Sequence, residues 1–349
     1  MKNLKIAVLS YPMLFQRQGG LQIQILETIS ALNELGVCAE LINPNQDKLY
    51  DYDLIHVFSA INGNHRIVEA AKDIDKPVVI SPLIRPDWNR FTGYRERFLD
   101  KIVGKLTRWH IYTTFREIEY CLTVSDAIVA LGEIEKASIE NGFLIHRDKT
   151  RVIPNGIPQR FFDASPDLFV NNYQISPGFV LCVAAINAHK NQLTLAQALK
   201  DSGKELVLIG SCLESSKAYL ADILSLPHVH YIGALGYDDA LLASAYAAAG
   251  VFCLPSMSEV MPLSVLEALA SNTPVVMTQN HCMNIEGLRD VVTEINPRDP
   301  LSIRTEIENK LRDIGNRQGC KSRVASLTWG NVATELAAIY RQVLSNSLV

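Results

Sequence analysis

Short continuous runs of Val, Ile, Leu and Cys alternate along the chain with longer stretches in which apolar residues recur at helical spacing. Continuous apolar runs are typical of parallel strands covered by helices on both faces. The pattern predicts strands at 5–10, 38–43, 53–58, 77–83, 121–131, 150–157, 179–185, 205–210, 229–233, 250–255 and 274–278. Helices are predicted at 22–36, 67–74, 191–200, 215–225 and 238–248, followed by an amphipathic closing helix with Val332, Leu336, Ile339, Tyr340 and Val343 on one stripe.

The alternation is interrupted at 158–178, where Pro, Asn, Ser and Asp are frequent. Because 349 residues exceed one average domain, we expect two α/β domains, each built on a doubly wound parallel sheet. Ligands of such sheets bind outside the carboxyl ends of the strands. The sequence therefore predicts a ligand site in a cleft between the two domains.

Composition and net charge exclude some classes of protein and favour others. A net charge of −4 argues against a general nucleic-acid binder. The seven cysteines are scattered without a CxxC pair, which is typical of reduced thiols in the cytosol. The chain shows neither a signal-peptide pattern nor an apolar segment long enough to cross a bilayer, so we expect a soluble, cytoplasmic protein. The HVH triplet at 228–230 has no clustered ligands around it, and no metal site is predicted.

The stretch SEVMPLSVLEALASNTPVV, residues 258–276, places two carboxylates in an apolar environment. A helix whose first residue is Pro262 would carry Glu267 on its apolar stripe. A buried carboxylate needs partners, and either ribose hydroxyls or a structural salt bridge would serve. Glu259 precedes the helix in a loop, and the free N–H groups between the two acids form a possible phosphate cradle.

Two other positions suit an anionic ligand. Gly19 and Gly20 follow the first strand, either as a flexible turn or as a place where the backbone approaches a ligand closely. Lys190 stands at a strand-to-helix turn, where it would pair with phosphate oxygens or serve as an ordinary surface lysine.

Residues 85–116 contain eight Lys/Arg against three acids, interleaved with aromatic residues. Basic and aromatic side chains together suit an anionic membrane surface and a lipid-pyrophosphate acceptor. The alternative is a long insert whose aromatic residues pack on their own domain. The candidate acceptor or membrane contacts are Arg85, Trp88, Arg90, Arg95, Arg97, Lys101, Lys105, Arg108 and Trp109.

The chain resembles glycosyltransferase family four, whose members are retaining, nucleotide-sugar-dependent enzymes of GT-B architecture. The resemblance covers nearly the whole chain. It rests on GGLQIQ, PNG (154–156), KNQ (190–192), LIG (208–210), YIG (231–233), Glu259 with seven residues to Glu267, EALAS, PVV and the closing TWGNVATELAAIYRQVL.

The resemblance implies an acceptor-binding domain at 1–165, a nucleotide-sugar-binding domain at 175–328, and a helix at 329–349 that crosses back to the first domain. Glu267 would hold the ribose hydroxyls, Glu259 would contact the transferred sugar, and Lys190 would neutralise the diphosphate, so that Glu259 and Lys190 are the catalytic candidates. The other donor-binding positions implied are Gly19, Gly20, Asn187, Met261, Pro262, Leu263 and Ser264. A UDP- or GDP-sugar would be the substrate without a further cofactor or metal, and a surface glycan or its lipid-linked precursor would be the acceptor. Peripheral contact with the cytoplasmic face of the inner membrane is also expected.

The sequence departs from the family at three places. Ala185 stands where the family commonly has an arginine, and Leu83 stands near the place of a histidine. Arg85 or His189 would then have to substitute. Asn272 replaces a glycine, and asparagine can adopt the same left-handed conformation. Two alternatives therefore remain, namely a catalytically degenerate member that binds sugars or a partner, and a nucleotide-sugar epimerase on a related scaffold.

Overall fold

The computed structural model describes residues 4–16, 19–313, 317 and 319–346. The chain divides into two compact units. Unit 1 comprises Met1–Gly156, Cys282–Asn284 and Trp329–Val349. Unit 2 comprises Ile157–His281 and Ile285–Thr328.

Unit 1 is built on a six-stranded sheet in the order β2-β1-β3-β4-β5-β6, in which all neighbouring strands are parallel. Helices cover the sheet, so strands such as β3 are buried along their whole length. The strands are β1 Lys5–Leu9, β2 Cys38–Leu41, β3 Leu54–Phe58, β4 Val78–Ser81, β5 Ala127–Ala130 and β6 Thr150–Val152. The first helices are α1 Gly20–Glu34, α2 His65–Asp73, α3 Arg90–Leu106, α4 Thr114–Val124 and α5 Glu133–Phe143.

The strand predicted at 121–131 is wrong in its first half, because α4 continues to Val124 before β5 begins. A short apolar run does not distinguish a strand from a buried helix face. Thr113 caps α4 by accepting a hydrogen bond from the N–H of Arg116 at 3.2 Å, and Cys121 and Leu122 then fall on its buried side. The long helix α3 and helix α5 were not predicted.

Unit 2 holds a second six-stranded parallel sheet in the order β12-β11-β10-β7-β8-β9. Its strands are β7 Val180–Val183, β8 Leu206–Ile209, β9 Val229–Gly233, β10 Val251–Leu254, β11 Val275–Thr278 and β12 Val292–Ile295. Its helices are α6 Gln159–Phe162, α7 Asp167–Tyr173, α8 Gln192–Ala198, α9 Lys217–Leu224, α10 Ala240–Ala248, α11 Leu263–Ala270, α12 Pro300–Arg312 and α13 Cys320–Arg323. The chain runs outward from β7 to β9 and then returns to the other side of β7 at β10.

Two features of unit 2 differ from the sequence pattern, and a third agrees with it. Strand β12 and helix α12 were not predicted. The polar break at 158–178 contains α6 and α7, whose Phe161 and Phe169 are fully buried. Asn272 does adopt the left-handed conformation expected for a glycine replacement, with φ at 57°.

The closing helix α14, Trp329–Asn346, belongs to unit 1 and buries the predicted stripe. The hydroxyl of Tyr340 lies 2.7 Å from Nδ1 of His56, and Nε2 of His56 lies 2.9 Å from the hydroxyl of Ser81. Complete burial lowers the pKa of His56 to about 3, so this network joins neutral groups. The last predicted helix positions, 347–349, lie outside the described residues.

Candidate functional site

The sheet of unit 2 reverses its winding direction between β7 and β10, which are parallel neighbours. Loops that follow two such strands open away from each other and leave a crevice at the carboxyl edge of the sheet. Lys190 lies in the loop after β7, and Glu259 lies in the loop after β10. The topology thus brings together two predicted site residues that are 69 positions apart in the sequence.

Side-chain amides hold the loop after β7 in place. Asn191, with φ at 61°, donates hydrogen bonds to the carbonyls of Pro255 at 3.2 Å and Pro297 at 2.7 Å. The carboxamide oxygen of Asn187 accepts from the N–H of Lys190 at 3.1 Å. The backbone that carries Lys190 is therefore anchored on both sides.

Lys190 and Glu259 form an ion pair, with Nζ 2.5 Å from Oε1. The lysine side chain is 24% exposed and the glutamate side chain 11% exposed. The N–H of Glu259 donates to the carbonyl of Asn280 at 2.8 Å, which fixes the glutamate backbone. His189, considered as a substitute for the missing arginine, has its Nε2 3.0 Å from the carbonyl of Ser258. The site holds a half-buried cation beside a carboxylate.

His281 stands close to this pair and was missed by sequence reasoning. It is 3% exposed, and its Nε2 lies 3.0 Å from Oε1 of Glu294. Burial lowers the pKa of His281, although the carboxylates of Glu294 and Glu259 act in the opposite direction. The signal available in the sequence was its position three residues after Thr278, where β11 ends.

Helix α11 starts at the same edge of the sheet, because it follows β10 directly. Pro262 is its N-cap residue, with φ −70° and ψ 122°, so the prediction of Pro262 as the first helical residue is wrong by one position. The first N–H groups of a helix have no acceptor within it. Leu263 and Ser264 carry such groups, and the positive end of the helix dipole lies here. Met261 is half-buried beside them.

Glu267 lies on the buried side of α11, as predicted, and is 4% exposed. Its Oε2 accepts a hydrogen bond of 2.8 Å from the hydroxyl of Tyr246 in α10. Burial raises the pKa of Tyr246, and the adjacent Glu267 carboxylate raises it further. Sequence reasoning did not identify Tyr246, because nothing in the pattern relates positions on successive helices.

In unit 1, Gly19 is the extended N-cap of α1, and a Cβ added to it would meet open space. Lack of room for a side chain therefore does not explain why residue 19 is a glycine. Leu83, which stands near the expected place of a histidine, adopts φ 59° just after β4. The adjacent N–H of Ile84 donates to Oε1 of Glu135 at 2.6 Å, and the N–H of Leu131 donates to its Oε2 at 2.7 Å. Burial raises the pKa of Glu135 to about 7.

The basic and aromatic set from 85 to 109 divides into two groups. Trp88 packs against the rings of Phe115 and Phe143. Arg97 binds Glu119 at 3.0 Å and lies over the ring of Phe115. These two side chains thus stabilise their own unit. The remaining members are exposed, namely Arg85, Arg90, Arg95, Lys101, Lys105, Arg108 and Trp109.

Within the described ranges, no group of three or more His, Cys, Asp or Glu side chains is arranged to hold a metal ion. Near Glu259, positive charge comes from Lys190 and from the amino end of α11.

Comparison with known protein families finds a match for most of unit 2. Residues 168–321, which contain β7 to β12, match the family model described as glycosyl transferases group 1. The match includes Lys190, Glu259 and Glu267.

Two curated relatives match a larger part of the chain. An uncharacterized glycosyltransferase of Methanocaldococcus jannaschii is 27% identical over 251 residues, 64% of this chain and 62% of the relative. The D-rhamnosyltransferase WbpZ of Pseudomonas aeruginosa is 24% identical over 288 residues, 80% of this chain and 66% of the relative. The chain thus matches less than two thirds of the length of each relative.

A solved sucrose-phosphate synthase from Thermosynechococcus elongatus has the same fold, with a TM-score of 0.78 at 17% identity. The similarity covers 98% of this chain and all of that one. The predicted fold class, GT-B with two Rossmann-like α/β units, is confirmed.

Proposed function

We propose that this protein is a retaining glycosyltransferase that moves a hexose or related sugar from a nucleotide sugar to a glycan or lipid-linked acceptor in bacterial surface polysaccharide synthesis. The observation that carries the proposal is the ion pair of Lys190 and Glu259 at the switch point of unit 2, inside the region that matches the glycosyl transferases group 1 model. A sugar diphosphate needs a cation and helix N–H groups for its phosphates, and hydroxyl acceptors for its sugars.

The donor would lie along the carboxyl edge of the unit 2 sheet. Its diphosphate would meet Lys190 and the N–H groups of Leu263 and Ser264, where the helix dipole favours negative charge. Glu259 would accept hydrogen bonds from the hydroxyls of the transferred sugar. Glu267 would accept from the ribose, with Tyr246 holding its carboxylate in one orientation.

The reaction forms a bond between the acceptor oxygen and the anomeric carbon on the face from which the diphosphate leaves. The bond from that carbon to the diphosphate breaks, and the acceptor proton passes to a diphosphate oxygen. Lys190 and the start of α11 would stabilise the charge that develops on the leaving group, without a metal ion. Glu259 would position the sugar rather than attack it, unlike the paired acids of glycoside hydrolases.

The test is a panel of UDP- and GDP-sugars with lipid-linked glycan acceptors, read by release of nucleoside diphosphate and by the anomeric configuration of the product. Lys190→Gln is expected to abolish release, whereas Lys200→Gln, an exposed lysine of the same unit, should leave it unchanged. No release across the whole panel, or a product of inverted configuration, would overturn the proposal.

A degenerate, non-catalytic member is the second candidate, favoured by Ala185, which offers no side-chain cation near Lys190. Calorimetry with UDP- and GDP-sugars distinguishes the two, since the transferase must bind its donor. A nucleotide-sugar epimerase is distinguished by conversion of the free donor without any acceptor.

A further inference from the structure

Helix α3 presents large apolar side chains to solvent along one face. Phe91 is 76% exposed, Phe98 56% and Ile102 40%. At about 100° per residue, these three lie within about 40° of one another on the helix. Leu106, 79% exposed, extends the same face toward the end of the helix. A contiguous apolar face of this kind marks a contact with a partner or a membrane.

The opposite face of α3 is fixed on unit 1, so the exposed face is not an unpacked helix. A Cβ at Gly93 would lie 1.9 Å from the carbonyl oxygen of Gly142, which shows that α3 touches the backbone of α5. The carboxylate of Asp100 accepts a hydrogen bond of 2.6 Å from the hydroxyl of Thr113. The ring of Trp109 packs against Gly104, where there is no room for a side chain.

Basic side chains border the apolar face on one side, where Lys101 and Lys105 lie about 80° and 40° from Phe91 around the helix. Arg108 is exposed just after α3. The acids of α3 do not balance these three cations, because Asp100 is buried and Glu96 is bound at 2.7 Å to Arg95, which lies on the apolar face itself. The exposed rim of the helix is therefore positively charged.

We propose that α3 is an interfacial helix that docks unit 1 on an anionic bilayer surface. Its apolar face, defined here as Phe91, Phe98, Ile102 and Leu106, enters the acyl boundary, and the basic rim binds lipid phosphates. An exposed apolar face bordered by Lys and Arg is the pattern of helices that lie in the plane of a membrane. At 17 residues α3 extends about 25 Å along that plane.

The positive charge beside the apolar face favours a membrane, rather than a second copy of this chain, as the partner of α3. Two copies that met through α3 would bring their basic rims together, and like charges held close oppose association. Anionic headgroups instead complement the positive charge of the rim. Within the part of the chain that the structure describes, no helix has the length and hydropathy of a membrane span, so contact through α3 would be peripheral. This proposal does not depend on the transfer reaction.

The test is sedimentation of the whole protein with sucrose-loaded vesicles of phosphatidylcholine alone or with about 30% phosphatidylglycerol, at low and high salt. The wild type is expected to sediment with the anionic vesicles at low salt and to be released at high salt. The triple variant Phe91→Gln, Phe98→Gln, Leu106→Gln should lose at least tenfold in partition coefficient. Because all three side chains are exposed, circular dichroism and thermal unfolding should be unchanged.

Matched controls lie on unit 2, where Leu168, Leu224 and Leu301 are exposed to a similar degree. Their combined replacement by Gln should leave partition within about twofold of the wild type. The charge variant Lys101→Glu, Lys105→Glu should weaken binding by at least about fivefold for each position. Lys48→Glu, Lys200→Glu changes the net charge equally at exposed sites outside α3 and should have a much smaller effect.

Equal sedimentation of the triple variant and the wild type would overturn the proposal, as would wild-type binding that ignores both anionic lipid and salt. Dimerisation in analytical ultracentrifugation that the triple variant abolishes, without lipid binding, would assign the face to a second copy. These outcomes are read without donor or acceptor, so failure of glycosyl transfer would leave them unaffected.

Discussion

Replacing Glu259 by Gln removes the negative charge beside Lys190 while keeping the shape of the side chain. In the structure the ammonium of Lys190 is bound to this carboxylate at 2.5 Å. If the donor diphosphate binds the same ammonium, carboxylate and phosphate oxygens must share it. Glu259→Gln should therefore strengthen the binding of free nucleoside diphosphate, although it slows transfer of the sugar. Lys190→Gln should weaken the same binding.

The expected change in nucleotide affinity follows from the geometry of one ammonium group between two anions. Two oxygens on opposite sides of Nζ lie about 5 Å apart, and two unit charges at that distance repel by about 3 kcal/mol at an effective dielectric of about 20. Because Lys190 is 24% exposed, solvent and salt reduce this repulsion. We expect Glu259→Gln to bind UDP or GDP about 5- to 50-fold more tightly. Loss of a charge-assisted hydrogen bond in Lys190→Gln should cost about 1.5–3 kcal/mol, or roughly 10- to 150-fold.

Isothermal calorimetry with UDP and GDP measures both variants. The exposed pair of Lys217 and Glu214 in the same unit, joined at 2.7 Å, provides matched controls. Lys217→Gln and Glu214→Gln should each change affinity by less than twofold. Weaker nucleotide binding by Glu259→Gln, or unchanged binding by Lys190→Gln, would refute the shared-ammonium argument.

Three further outcomes test the packing around the candidate sites. Tyr246→Phe removes the hydroxyl that donates to buried Glu267 and should lower the free energy of unfolding by about 1–3 kcal/mol, measured by denaturant titration; no loss would contradict that role. Burial raises the folded-state pKa of Glu135 to about 7. Because the folded state then holds this proton more tightly than the unfolded state, the stability of the wild type should fall relative to Glu135→Gln as pH rises from about 4.5 to 7. Parallel curves of Tm against pH for the two proteins would exclude this effect. Gly93→Ala places a Cβ 1.9 Å from a backbone carbonyl oxygen of α5 and should lower the Tm by several degrees. The control Gly319→Ala meets open space and should leave the Tm unchanged. Equal Tm values for the two variants would show that α3 shifts to accommodate the methyl group.

Strong apolar runs made most of both sheets predictable. Strands such as 205–210 and 250–255 are buried on both faces in the structure, so every position must be apolar, and the run is visible without any partner. Strand β12, Val292–Ile295, was missed because it lies at the edge of its sheet and two of its four residues are not buried. Helix α3 was missed because its apolar residues face outward and blur the amphipathic pattern.

A candidate site residue could be predicted where its residue type and its place in a single loop already indicate its role. Lys190 and Glu259 follow strands, as predicted, and the strand order then places them at the switch point. Their direct pairing was not predictable, because it depends on which strands are neighbours. His281 and Tyr246 were missed for the same reason, since each meets its carboxylate only through packing.

The amino-acid sequence by itself determined the α/β class, the burial of Glu267 and the basic, aromatic character of residues 85–116. Each of these depends on local periodicity or composition, which the chain carries whatever its partners are. Only the tertiary structure decided that β10 returns beside β7, that Tyr246 is the partner of Glu267, and that Trp88 and Arg97 turn inward while Phe91 and Phe98 remain exposed. Strand order and helix orientation arise from long-range packing, which leaves little trace in the spacing of residues along one chain.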